Sequence, residues 1–342
     1  MRVLYAITSR NDRILHIGET FAGMGITAKW VNTDSFYTVC SYVDKKRNKL
    51  GFKDREREHF CKQVETIKQE IRTFHPDLVL FINFCLGEDS SKHLREIETL
   101  CPVAIWLVDS IAGDPVTAGT LPKKGVFVYE YDDIRFLYNN FAVEAEYCPV
   151  GYQLVYDRLG ETKERDIDIS FIGSPYRHRL KLLDQIATHG AQVGWNMKFY
   201  GPFYEKKYFW KEWSFRIKHP VLSKYIVNGN FSSDIVAKVY ERSKICLNMH
   251  VSAGHNLNPR TFEILATQSF ELLDHHDDYL GLLTPGKDII DFDDIKDLLG
   301  KITYYLNHDE QREVIARTGY DRVKGKLSME SSLKRILDSC VG

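Results

Sequence analysis

Three stretches of this 342-residue chain carry residue types at spacings that could do chemistry. In Asn258-Pro259-Arg260-Thr261-Phe262-Glu263, Asn258 suits a helix N-cap and Pro259 the first turn. Arg260 and Glu263 then stand three apart on one face near the helix start. A cation beside free helix N–H groups can grip a diphosphate, and a carboxylate can accept two hydrogen bonds from a ribose diol. The competing reading is an ordinary surface Arg–Glu pair beside a capping Asn. In the second stretch, Ile169-Ser170-Phe171-Ile172 runs into Gly173-Ser174, and Arg177, His178 and Arg179 open a helix. Small residues there let the backbone approach a phosphate, although an ordinary strand-to-helix turn has the same look. That turn carries neither a GxGxxG nor a GxxxxGK[ST] pattern, so a dinucleotide fingerprint and a P-loop are both unsupported. The third stretch is Ile245–Met249, an apolar strand whose end brings Asn248 and His250 together.

These residues need a scaffold, and the hydrophobic pattern supplies one. Val3–Ile7, Leu78–Phe84, Val103–Val108 and Val126–Tyr129 are short continuous apolar runs, as strands buried on both faces should be. Asp54–Phe74 has Phe60, Val64, Ile67, Ile71 and Phe74 at helical spacing, and Pro76 stops it. After a polar connector from Gly151 to Asp166 the alternation restarts. Strands are expected at Ile167–Ile172, Lys198–Tyr200, Ile245–Met249, Phe270–Leu273 and Ile289–Phe292. Helices are expected at 177–189, 234–242, 259–267, 293–306 and 309–324. Strands alternating with helices predict an α/β fold of two doubly wound, Rossmann-like domains facing a cleft.

Composition narrows the function classes. Lys plus Arg total 46 and Asp plus Glu 47, a net charge of −1, so global electrostatics cannot hold a nucleic-acid backbone. Aromatic residues make up 13%, far too many for a solvated disordered chain. The seven cysteines lack CxxC spacing, which argues against a zinc site and for a reducing, cytoplasmic compartment. No apolar run is long enough to span a bilayer.

In their order, these segments resemble the donor domain of GT-B glycosyltransferases, in the glycosyl-transferases-group-1-like branch that includes the spore maturation protein CgeB. The residues carrying the resemblance are Asn258–Ala266, Phe270–Asp274, Thr284–Ile289, Tyr304–Leu306 and Arg317–Val323. Upstream, Asp168–Ser174 with Arg179, Phe199–Pro202 and Tyr240–His250 fit the same pattern. In the first half, Ala104–Ser110 and Tyr147–Gly151 resemble that family's acceptor domain.

The resemblance implies an acceptor domain over 1–155, a donor domain over 166–325 and a tail helix over 326–342 that returns to the first domain. It implies a metal-independent transferase with no cofactor, moving a sugar from a nucleotide-sugar to a glycan or lipid-linked acceptor. Glu263 would hold the donor ribose and Arg260 the diphosphate. Gly173, Ser174 and Arg179 would lie at the diphosphate, Tyr200 and Gly201 at the base, and Asn248 and His250 at the transferred sugar, with Asn258 capping the helix.

Two positions depart from the family: His255 stands where many retaining enzymes place a glutamate, and Gln268 where a glycine is usual. If the reaction inverts the anomeric centre, a base must deprotonate the acceptor hydroxyl. Asp109, just past the Ile105–Val108 strand, is the positional candidate, followed by His16 and Glu19 in what reads as a turn.

Residues 205–225 mix Tyr208, Phe209, Trp210, Trp213, Phe215 and Tyr225 with Lys206, Lys207, Lys211, Arg216, Lys218 and Lys224. An insertion packing its aromatics on the donor domain is the first reading of this segment. A peripheral contact with the inner face of the membrane is the second, and nucleic acid is not expected as a partner. The alternatives to a transferase are a nucleotide-sugar epimerase of the same fold and a non-catalytic binding or assembly protein.

Overall fold

The computed structural model describes residues 1–7, 13–33, 53–83, 89–157, 164–250 and 257–341. The chain divides into two units, Met1–Gly151 together with the chain from Met329 onward, and Tyr152–Ser328.

The first unit contains β1 (Arg2–Ile7), α1 (Arg13–Gly23), β2 (Thr27–Asn32), α2 (Lys53–Phe74), β3 (Leu78–Ile82) and α3 (Ser90–Glu98). It continues with β4 (Val103–Leu107), α4 (Pro115–Ala118), β5 (Val126–Val128), α5 (Tyr131–Phe141) and β6 (Ala145–Tyr147). The strands form one parallel sheet in the order β2-β1-β3-β4-β5-β6. All five residues of β3 are buried, because side chains on both of its faces are covered. One face packs Leu4, Val79, Phe81, Ile105 and Leu107 against Val64, Ile67 and Ile71 of α2.

The other face packs Tyr5, Leu80, Trp106 and Phe127 against Ile17 and Phe21 of α1 and against the last helix of the chain, Met329–Val341. That helix contributes Met329, Leu333, Ile336 and Leu337 to this core. The hydroxyl of Ser332 donates to the Pro149 carbonyl at 2.6 Å. The expected return of the tail helix to the first domain is therefore what the chain does.

The second unit contains a 3-10 turn (Leu154–Tyr156), β7 (Ile167–Ile172), α6 (Arg177–Val193), β8 (Met197–Gly201), α7 (Phe209–Lys218) and β9 (Ile226–Asn228). There follow α8 (Ser233–Glu241), β10 (Ser243–Asn248), α9 (Pro259–Ala266), β11 (Glu271–Asp274), β12 (Ile290–Phe292), α10 (Ile295–Leu306) and α11 (Asp309–Val323). Its parallel strands are ordered β12-β11-β10-β7-β8-β9. The order reverses between β7 and β10, and ligands of such sheets bind outside the carboxyl ends of the strands at that switch point.

Two expectations are corrected here. Tyr152, Val155 and Tyr156 bury in the second unit's core, so the passage between units falls at Gly151–Tyr152, ahead of residue 155. His16 and Glu19 lie one turn apart on helix α1, their side chains 3.2 Å from each other, and not in a turn.

Candidate functional site

At the switch point of the second unit, β7 ends in Gly173-Ser174 and α6 begins at Arg177, while β10 ends at Asn248 and α9 begins at Pro259. The starts of two helices thus follow the two strands that flank the switch. Asn258 caps α9 as its sequence suggests, its side-chain oxygen accepting from the Thr261 N–H at 3.3 Å. No side chain caps α6.

Two guanidinium groups converge on the β7 turn. A Cβ built on Gly173 would lie 3.5 Å from an Arg179 Nη and 3.6 Å from an Arg260 Nη. Arg179 is 3% exposed. It donates to the Ser174 carbonyl at 3.2 Å and to the Met249 carbonyl, so it ties the turn to the end of β10. Burial, together with the charge of Arg260, pulls its pKa down to about 10, which leaves it charged at neutral pH. Arg260 is half-buried and has no hydrogen bond or ion pair among the described residues. Two like charges so placed create a strong positive potential, and an anion at the turn would relieve their repulsion. Glu263 stands one turn further along α9, half-buried.

The neighbouring strand closes the site from below. The Gly173 N–H donates to the Tyr200 carbonyl at 2.9 Å. A Cβ on Gly201 would lie 2.1 Å from the Gly173 carbonyl oxygen, a distance no side chain tolerates. Gly201→Ala must therefore push the β7 turn away. It is expected to cost the second unit about 1–3 kcal/mol. Denaturant melts of the variant check this, and an unchanged midpoint would contradict it. Tyr200 is half-buried against Phe231, ring centroids 5.1 Å apart.

The side chains of Asn248 and His250 are buried and bonded within the second unit. Asn248 is fully buried. Its two amide N–H groups are shared among Asn258 Oδ1 at 3.0 Å, Thr261 Oγ1 at 3.0 Å and Glu271 Oε1 at 2.8 Å. His250 is 6% exposed. Its Nδ1–H donates to Asp274 at 2.7 Å, while Nε2 accepts from the Asn258 N–H at 3.2 Å. Both ring nitrogens are thus engaged and the ring is neutral, in keeping with burial lowering its pKa. The His178 ring in turn bonds the His250 carbonyl at 2.8 Å.

These residues position the start of α9 from beneath. The reason is topological: β10 is a central strand, so polar residues at its end are roofed by the helix that follows.

His250, Asp274 and His276 also bring three potential metal-ligand atoms within 4.8 Å of one another. Asp274 and Asn258 engage both nitrogens of His250, so in this structure the trio forms a hydrogen-bonded pillar. Asp274 sits below the usual carboxylate range: burial opposes its charge, but the hydrogen bonds it accepts from the His250 ring and backbone N–H outweigh that.

The role of Glu271 is one that sequence reasoning missed, since the residue falls inside an expected strand. It is completely buried and accepts from Asn248 and from Thr261 Oγ1 at 2.9 Å, while its other oxygen has no hydrogen-bond partner among the described residues. Burial pushes its pKa up to about 7. Unfolded, a glutamate titrates near 4.3. The folded chain therefore binds this proton more tightly, so the contribution to stability is full below about pH 4 and is lost as pH rises through 7. The stability difference between wild type and Glu271→Gln should shift toward the variant by on the order of 3 kcal/mol between pH 4 and 8. Melts of both chains at the two pH values test this, and a pH-independent difference would contradict it.

Of the two departures from the family pattern, His255 lies outside the described residues. Gln268 takes φ +53°, the left-handed region that favours glycine, with its carbonyl held by an Arg165 N–H at 2.8 Å. The loop keeps the shape a glycine would give it, at a strain of about 1–2 kcal/mol. In the first unit, Asp109 is exposed just past the end of β4 and accepts from the Asn83 amide at 2.6 Å. The five described cysteines are all free thiols. Among the described residues no helix is long and apolar enough to cross a membrane.

Comparison with known proteins places this geometry. Residues 177–338 match the glycosyl transferase-like family. The spore protein CgeB of Bacillus subtilis (strain 168) is 22% identical over 257 residues, covering 73% of this chain and 78% of CgeB. Among solved structures, Alr3699/HepE of Anabaena in complex with UDP and glucose superposes with a TM-score of 0.68 at 11% identity, over 99% of this chain and 98% of that one. A glycosyltransferase from Rickettsia africae ESF-5 gives a TM-score of 0.68 at 12% identity, over 98% and 97%. The fold is GT-B, two Rossmann-like domains, and the chain resembles CgeB and, over residues 177–338, the glycosyl transferase-like family.

Proposed function

We propose that this protein transfers a sugar from a nucleoside-diphosphate sugar to a glycan, lipid-linked or other glycoconjugate acceptor, without a metal, in the synthesis of a bacterial surface polysaccharide. The work would be done in the cytoplasm or at the inner face of the membrane. One observation carries the reading: the charge of Arg260 has no partner among the described residues, and it lies beside a second guanidinium at the switch-point turn. HepE, which shares the fold, holds UDP and glucose.

As the sugar–phosphate bond breaks, negative charge grows on the departing diphosphate. Arg260 and the N-terminus of α9 would stabilise that charge more in the transition state than in the ground state, which is what accelerates a reaction. Arg179, committed to two carbonyls, holds the Gly173–Ser174 backbone in place for the same phosphates. Glu263 would accept from the ribose diol, and Tyr200 and Gly201 would border the base. Asp109 is the base proposed for the acceptor hydroxyl if the reaction inverts.

The test is release of nucleoside diphosphate from a panel of nucleotide-sugars, with and without a bacterial glycan and lipid extract. Acceptor-dependent release supports transfer. Conversion to an isomeric nucleotide-sugar without acceptor would instead mark an epimerase, and no turnover of any donor would mark a binding protein.

A further inference from the structure

Helix α7 has two apolar faces, and only one of them is used by the fold. Phe215 is buried, its ring centroid 5.9 Å from that of Phe203 and 5.6 Å from that of Tyr204. On the other side Phe209 is 80% exposed, Trp213 67%, Ile217 58% and Trp210 50%. At 3.6 residues per turn these four fall within an arc of about 100°, with Phe215 roughly opposite its centre. The packing expected of this segment therefore accounts for Phe215 and leaves the other four facing solvent.

Charge surrounds this stripe. Residues 205–224 hold Lys206, Lys207, Lys211, Arg216, Lys218 and Lys224 against Glu205 and Glu212, in a chain whose net charge is −1. Arg216 is paired with Glu212 one turn away, at 2.8 Å. Among the described residues the five lysines pair with no carboxylate, and all five are exposed.

We infer that α7 is a membrane-surface helix that seats Phe209, Trp210, Trp213 and Ile217 at the interface of an anionic bilayer. Aromatic side chains prefer the headgroup level, and an exposed apolar stripe flanked by cations is how a helix lies in the plane of a membrane. Each Lys or Arg near an anionic surface strengthens binding by about fivefold. A second copy of the chain fits this face less well, because a two-fold pairing would set these lysines against one another. The inference stands apart from the donor site: a chain that bound vesicles but transferred no sugar would still carry it.

Co-sedimentation of the full chain with phosphatidylcholine vesicles, with and without phosphatidylglycerol, tests it. Binding to the anionic vesicles is expected, weaker by about tenfold or more without phosphatidylglycerol. Brominated lipid should quench the exposed tryptophans. The variant F209S/W213S/I217S should lose about tenfold or more of this binding with its melting temperature unchanged, and K206E/K207E/K211E should lose it through charge alone. Several results would overturn the inference: binding to neither vesicle, equal binding by both variants, a wild-type dimer that the serine variant dissolves without lipid, or retention on single-stranded nucleic acid in place of lipid.

Discussion

Arg260→Ala lowers sugar transfer by about 10²–10³-fold, the loss expected when one preorganised donor to a developing charge is removed. The chain melts at or slightly above the wild-type temperature. Both halves of this result follow from the same geometry. Arg260 makes no hydrogen bond or ion pair among the described residues, so its removal breaks nothing in the fold. It also lies beside Arg179, whose pKa it helps to depress, so truncation relieves a like-charge repulsion.

Arg179→Ala should behave in the opposite way. Its buried guanidinium bonds the Ser174 and Met249 carbonyls, and losing it takes this donor from the Met249 carbonyl and unties the turn from the end of β10. Arg260→Lys keeps the charge but not the two-pronged geometry that matches a phosphate, and should recover activity only in part. Steady-state rates and melts of the three variants decide this. An Arg260→Ala chain that keeps its turnover would remove Arg260 from the chemistry.

Truncation after Ser328 unfolds the first unit and leaves the second intact. The helix Met329–Val341 buries Met329 to 1% exposure, Leu333 and Ile336 to 0% and Leu337 to 6%, all in the core that contains Trp106 and Tyr5. Fully burying such a side chain is worth about 1.5–3 kcal/mol, so the helix contributes on the order of 6 kcal/mol or more, comparable with the whole stability of a domain. Its removal also leaves the Pro149 carbonyl without the Ser332 hydroxyl. The cores of the two units share no residue, so the loss falls on the first alone. A truncated chain should show one cooperative transition in place of two and still bind nucleotide, with transfer abolished. Two undiminished transitions would contradict the assignment of this helix.

Much of this arrangement is legible in the residues themselves. Strands buried on both faces announce themselves as unbroken apolar runs, and β7 lies where Ile167–Ile172 puts it. The N-cap at Asn258 is equally local, since Asn-Pro before an apolar repeat has one reading. Long-range context decides the rest.

Helix α1 reads as a turn because Gly18 interrupts it. The structure shows that glycine letting the helix close on β1, where a Cβ would meet the Tyr5 hydroxyl at 3.0 Å. The edge strands β6 and β9 are three residues each and have no distinctive pattern. Asn248, His250 and Glu271 are polar residues at strand ends, which look exposed in a sequence. They are buried because β10 and β11 are interior strands covered by the start of α9, and the strand order is not written in any local pattern.

The central claim, a nucleoside-diphosphate site at the Gly173–Ser174 turn that follows β7, is tested most directly by thermal melts of the wild type and Arg260→Ala against UDP, GDP, dTDP, CDP and ADP. Ligand at a hundred times its dissociation constant stabilises the folded chain by about 2.7 kcal/mol, a readily measured rise in melting temperature. The account predicts that one nucleotide raises the wild-type melting temperature and that Arg260→Ala loses most of that rise while remaining folded. A folded wild type that responds to none of the five, or an equal rise in Arg260→Ala, would contradict it.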